Sequence, residues 1–164
     1  MKPETISSIK KELRQKNIAE LEEMCLRMAK YKVENKELLS FILFYNHDIA
    51  GYLTRVKDEV DVLFEGINSA NLYWAKKSIR KIVRFLNKHI KYVASKEAEA
   101  ELLIYFCQKM KGSKIPFQKS VTLFNLYERQ IFKIEKAIST LHEDLQYDWN
   151  NEMDEKKLRI EYFN

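Results

Sequence analysis

Apolar residues recur every three or four positions along most of this chain, the spacing that gathers them on one face of an α-helix. Pro3 suits a first helical turn, and Ile6, Ile9 and Leu13 then step along a short first helix. Asn17 is placed to cap a second helix, with Leu21, Met24, Met28 and Tyr31 along one side. Asn35 is placed to cap a third, whose body ELLSFILFYN is apolar nearly all round and predicts a central, buried helix. Asp48 heads a fourth, carrying Leu53, Val56, Val60, Leu63 and Ile67. Ser69 opens a long fifth helix; Ser95 caps a sixth, which Gly112 stops. After the loop GSKIP, a further helix runs from about Phe117 to Tyr147, striped by Val121, Phe124, Tyr127, Ile131, Ile134, Ile138 and Leu141. In the closing stretch DWNNEMDEKKLRIEYFN, Leu158, Ile160 and Tyr162 alternate, which suits a tail that docks in an extended form or frays.

This pattern predicts an all-α fold of about seven helices, with one domain over residues 1–147 and a C-terminal tail over 148–164. Helices two to seven divide into three hairpins of roughly 30–50 residues, within the range of helical repeats. The expected layout is antiparallel hairpins stacked as an irregular HEAT-like array, although no motif repeats at fixed positions. Composition agrees with the class: three Gly and two Pro in 164 residues are too few turn formers for an all-β chain. An apolar content of 46% supports a core without disulfides or metal. Cys25 and Cys107 both sit in apolar helical contexts and read as buried free thiols in a reducing compartment. The opening MKPETISSIKKEL lacks the core of a signal peptide. The longest apolar run is FILFY, residues 41–45, against the ~20 residues a membrane span needs. A cytoplasmic chain with no membrane span is the expectation.

The stretch IKKELRQKNIAELEEMCLRMAKYKVENKELLSFILFYN, residues 9 to 46, resembles the opening of an uncharacterised bacterial all-helical family of unknown function. The shared features are a short basic helix, a helix of Leu, Leu and Met, and a Lys-Glu-hydrophobic helix ending in an aromatic residue and Asn. The resemblance covers about a quarter of the chain. It implies an all-helical fold and carries over no functional residue.

Several kinds of chemistry are excluded. Gly51, Gly66 and Gly112 each stand alone, so neither a phosphate-cradling Gly-rich loop nor a Gly-x-Ser-x-Gly elbow can be built. His47, His89 and His142 have no second His or Cys at helical metal-ligand spacing. Asp48 beside His47 is better explained as a cap, and His142 beside Glu143 and Asp144 as part of a solvated face. Asp58, Asp61 and Glu65 share one side of the fourth helix, but Arg55 and Lys57 lie close enough to make this an ion-paired surface rather than an acid–base site. No catalytic residue, metal or cofactor is expected, and the chain reads as a non-enzyme.

One stretch stands apart. KKSIRKIVRFLNKHIKYV, residues 76–93, holds seven Lys and Arg residues and no acid. At about 100° per residue, all seven fall within about 140° of arc, opposite Ile79, Ile82, Val83, Leu86, Ile90 and Val93. No acid occurs between Glu65 and Glu97, so nothing within the helix neutralises the stripe. The candidate basic face is Lys77, Arg80, Lys81, Arg84, Lys88 and Lys91. Trp74 and Tyr92, with Phe85, fall on its flank, where aromatic rings beside cations can stack bases while the cations hold phosphates. The competing reading makes these aromatics a second packing edge. It also lets the acids Glu143, Asp144, Asp148, Glu152, Asp154 and Glu155 cover the helix, within one molecule or across a dimer. A membrane-surface role fits less well, because packing claims the apolar face.

Two functions follow. The first is a non-enzymatic, helical-repeat-like interaction scaffold that binds a protein partner or a second copy of itself. The alternative is binding of a nucleic-acid backbone through the basic face of the helix at residues 74–93. The net charge of +5 is too mild to decide between them.

Overall fold

The computed structural model describes residues 2–160. Among these the chain is all-helical, with eight α-helices and no strand. It divides into two compact units, one up to His47 and the other from Asp48 onward.

The first unit holds α1 (Ile6–Leu13), α2 (Ile18–Tyr31) and α3 (Val33–Ser40), followed by a π-helical turn (Phe41–Tyr45). Thr5 caps α1, its hydroxyl accepting from the Ser8 amide. Asn17 caps α2 as the sequence predicts. Its side chain accepts from the Glu20 amide at 2.9 Å, while the Glu20 carboxylate accepts from the Asn17 amide at 2.9 Å. That reciprocal pair fills two of the donors a helix start leaves open. Asn35 is not a cap. Helix α3 begins at Val33, and the Asn35 side chain donates to the Met28 carbonyl at 2.9 Å, clipping α3 to the last turn of α2. Nor does the stretch 37–46 form a buried helix. Phe41 alone is buried there, and Ile42, Leu43 and Phe44 are each more than half exposed. The stretch is apolar all round, yet only one side of it is covered. None of α1, α2 and α3 contributes a buried residue.

The second unit holds α4 (Ile49–Glu65), α5 (Leu72–Val93), α6 (Lys96–Gly112), a 3-10 turn (Phe117–Lys119), α7 (Val121–Ile138) and α8 (Glu143–Glu155). Asp48 caps α4 by accepting from the Gly51 amide at 2.9 Å. A Cβ at position 51 would stand 2.1 Å from the Asp48 carboxylate, so the cap closes down on a glycine. Helix α5 starts later than predicted: Asn71, not Ser69, accepts from the amides of Tyr73 and Trp74. It ends on Ala94 in the left-handed region (φ 53°), and Ser95 caps α6 immediately.

Helix α6 is the centre of this unit. It buries Ala98, Ala100, Leu102, Leu103, Ile104, Phe106, Cys107 and Met110, and packs against α4, α5 and α7. Its polar edge is tied to α4. Lys57 Nζ lies 2.6 Å from Glu101 Oε1, the Tyr105 hydroxyl donates to Asp61 at 2.6 Å, and Lys109 Nζ lies 2.8 Å from the same Asp61 oxygen. On the acidic side of α4, Asp61 is therefore paired across helices, taking its partners from α6.

The single helix expected over 117–147 is two. The Ser139 and Thr140 hydroxyls donate to the carbonyls of Lys136 and Ala137, ending α7, and an extended His142 opens α8. Helix α8 then runs on to Glu155, so residues 148–155 of the expected tail are helical. Lys157 takes a left-handed φ of 48°, and the Leu158 amide returns to the Met153 carbonyl at 3.0 Å. This 6→1 closure brings together Met153 and Leu158, both fully buried. The Leu158 carbonyl accepts from the Tyr127 hydroxyl at 2.6 Å. The segment thus docks through Leu158; Tyr162 lies outside the described residues. No helix among the described residues is long and apolar enough to cross a membrane.

Candidate functional site

Helix α5 is built as its pattern demands. Ala75, Ile79, Ile82, Leu86 and Tyr92 are buried, and the opposite side carries the cations. Lys77, Arg80, Lys81, Arg84 and Lys91 are exposed, whereas Lys88 is half-buried and engaged within the fold. Of the flanking aromatics, Trp74 is half exposed, with Lys77 Nζ 5.3 Å from its ring centre. Tyr92 is core, 9% exposed, and meets His89 edge-on at 5.7 Å, so it offers no open face to a ligand. Phe85 packs against the same histidine at 4.4 Å.

The cations are not spread over a flat surface. Lys76, Lys77, Arg80 and Arg84 line an open pocket of about 550 Å³ with Tyr73 and Val83 of α5 and Leu126 of α7. Tyr73 is 69% exposed and meets Trp74 edge-on at 5.3 Å. Sequence reasoning picked out Lys77, Arg80 and Arg84 but passed over Tyr73, which lies on the same stripe four residues before Lys77 and seven before Arg80. Leu126 comes from another helix, and no periodicity could have found it. Lys81 and Lys91 extend the charge beyond the pocket.

Among the described residues, Lys76, Lys77, Arg80, Lys81, Arg84 and Lys91 make no ion pair. Three of the six acids named after Ala137 have local partners: Glu152 pairs with Lys156, Asp154 with Arg159, and Asp144 lies 3.4 Å from His142. Cations three and four positions apart on a helix repel one another. A bound anion would remove that repulsion.

Elsewhere the polar groups serve the fold. In an open pocket of about 690 Å³, Arg159 is tied up, because besides Asp154 it reaches Glu135 at 3.0 Å and Asn150 at 3.0 Å. Desolvation works against ionisation of Asp61, but Lys109 and the Tyr105 hydroxyl outweigh it and hold the carboxyl below its ordinary range. Asp61 in turn raises Lys109. Burial, then the nearby Glu128 charge, pushes the Cys107 thiol far above its usual range. Cys25 is exposed, contrary to the expectation of two buried thiols, because the apolar side of α2 is uncovered. Among the described residues no three His, Cys, Asp or Glu side chains gather as metal ligands would. Comparison with protein-family models, with curated proteins and with solved structures found no match.

Proposed function

We propose that this chain is a non-enzymatic helical interaction scaffold whose α5 face engages the phosphate backbone of a nucleic acid. The observation that carries the reading is the convergence of Lys76, Lys77, Arg80 and Arg84 on one open pocket with no carboxylate partner among the described residues. Phosphate binding at such a face is electrostatic and largely indifferent to sequence. The layout that presents it is a stack of antiparallel hairpins, HEAT-like in arrangement. Supporting this, α4 to α8 each touch the next helix in sequence, and α5 passes to α6 through Ala94 and Ser95 alone. The free, exposed thiol of Cys25 fits a reducing, cytoplasmic setting.

A protein partner, or a second copy of the chain, is a further reading that the first unit favours. Twelve of the eighteen large exposed hydrophobics among the described residues lie before His47, nine of them in α1, α2 and α3, which bury nothing of their own. Apolar surface gathered in this way marks an interaction site.

Fluorescence anisotropy with a labelled oligonucleotide tests the nucleic-acid reading. An Arg80→Glu/Arg84→Glu variant loses binding. A Lys10→Glu/Lys11→Glu variant, with the same change in net charge on α1, keeps it. Equal loss in both variants would reduce the effect to overall charge and remove α5 from the account.

A further inference from the structure

The pocket beside α5 is not purely cationic. Tyr73, Val83 and Leu126 supply apolar surface at the point where Lys77, Arg80 and Arg84 bring charge. Tyr73, Lys77, Arg80 and Arg84 follow one another at intervals of four, three and four residues, so they form one stripe along the helix. That stripe spans about 16 Å at 1.5 Å per residue. The pocket volume of about 550 Å³ is within the range of sites that enclose a small organic molecule. A face built for phosphates alone has no use for an open aromatic ring and an apolar floor.

We infer that this pocket seats one unstacked base of a single-stranded nucleic acid, with the base against Tyr73, Val83 and Leu126 and the flanking phosphates on Lys77, Arg80 and Arg84. The inference rests on the nucleic-acid reading of α5 and adds the strand type and the place of the base. In a duplex the base faces are stacked on one another and cannot reach a side pocket. In a single strand they are free to lie on an aromatic ring, whatever their identity. Tyr73 therefore takes the stacking role, with Trp74 beside it already engaged by Lys77. Because Tyr73 is largely exposed in the unliganded protein, replacing it leaves the core intact.

The test compares three labelled probes at 50 mM salt: a 12-nucleotide oligothymidylate, a 12-nucleotide strand of abasic deoxyribose phosphates, and a 12-base-pair duplex. The oligothymidylate binds most tightly, and the abasic strand roughly 5- to 100-fold more weakly, the range for loss of one to a few kilocalories of stacking. Tyr73→Ala lowers oligothymidylate affinity to near the abasic level without changing the salt slope, and Tyr73→Phe restores it. If the abasic strand or the duplex binds as well as oligothymidylate, or if Tyr73→Ala is silent, the base seat is overturned while backbone binding stands. If none of the probes binds, both readings fall together.

Discussion

At the scale of single residues, burial and pairing separate side chains that look alike in the sequence. Cys25 and Cys107 each sit among apolar neighbours, yet one is exposed and the other is enclosed in α6. Since the thiolate is the reactive form, a thiol reagent under native conditions should modify Cys25 rapidly and leave Cys107 untouched until the protein unfolds. Mass spectrometry of the labelled peptides reads this out, and native labelling of Cys107 would contradict its place in the core. Asp61 differs from its neighbours Asp58 and Glu65 through the partners α6 brings to it. Its carboxyl is held low, so its ionised form stabilises the fold above the unfolded value of about 4, and that contribution disappears as pH falls through the lower folded value. Asp61→Asn should therefore cost about 1 kcal/mol at pH 7. The gap from the native protein should narrow below about pH 4, as measured by urea unfolding at pH 7 and pH 3. A gap that persists unchanged in acid would place the effect in packing rather than in charge.

At the scale of elements, the legible features were those encoded within a few residues. Asn17, Asp48 and Ser95 cap the helices they were expected to cap, because a short polar side chain before an apolar run meets its own backbone amides wherever the helix lies. Ser69 and Asn71 were both capable of opening α5, and two residues of spacing could not choose between them. The apolar stripe from Val121 to Leu141 concealed the break at Ser139 and Thr140, whose hydroxyls turn back on the carbonyls of α7. The charge pattern of α5 was legible for Lys77, Arg80, Lys81, Arg84 and Lys91, though not the half-burial of Lys88, and it has a consequence of its own. Arg84 stands near Arg80, Lys81 and Lys88 at helical spacing, a set of like-charge pairs each worth about 0.2–0.5 kcal/mol of repulsion. Arg84→Glu should thus stabilise the fold by about 0.5–1 kcal/mol while weakening nucleic-acid binding. Thermal or urea unfolding checks the first half of that outcome; a destabilised Arg84→Glu would show that Arg84 has a packing role.

At the scale of the whole molecule, what the sequence withheld was which helices are neighbours. The stretch 37–46 read as apolar nearly all round, and α6 only as a helix between Ser95 and Gly112. The first is covered on one side only, whereas α6 has α4, α5 and α7 around it. The same missing information hid Leu126 from the pocket, sent Tyr92 into the core, and left open where the acids of α8 find their partners. The cationic face could be drawn from the sequence alone. Its concavity could not, nor could the absence, among the described residues, of an ion pair to Lys76, Lys77, Arg80, Lys81, Arg84 or Lys91. The direct test is the salt dependence of binding to a short single strand, followed from 50 to 200 mM. With roughly three to five cations on phosphates, the log–log slope should lie at about −2 to −3.5. A flat slope, or no binding at 50 mM, would contradict the assignment of α5 as a phosphate-backbone face.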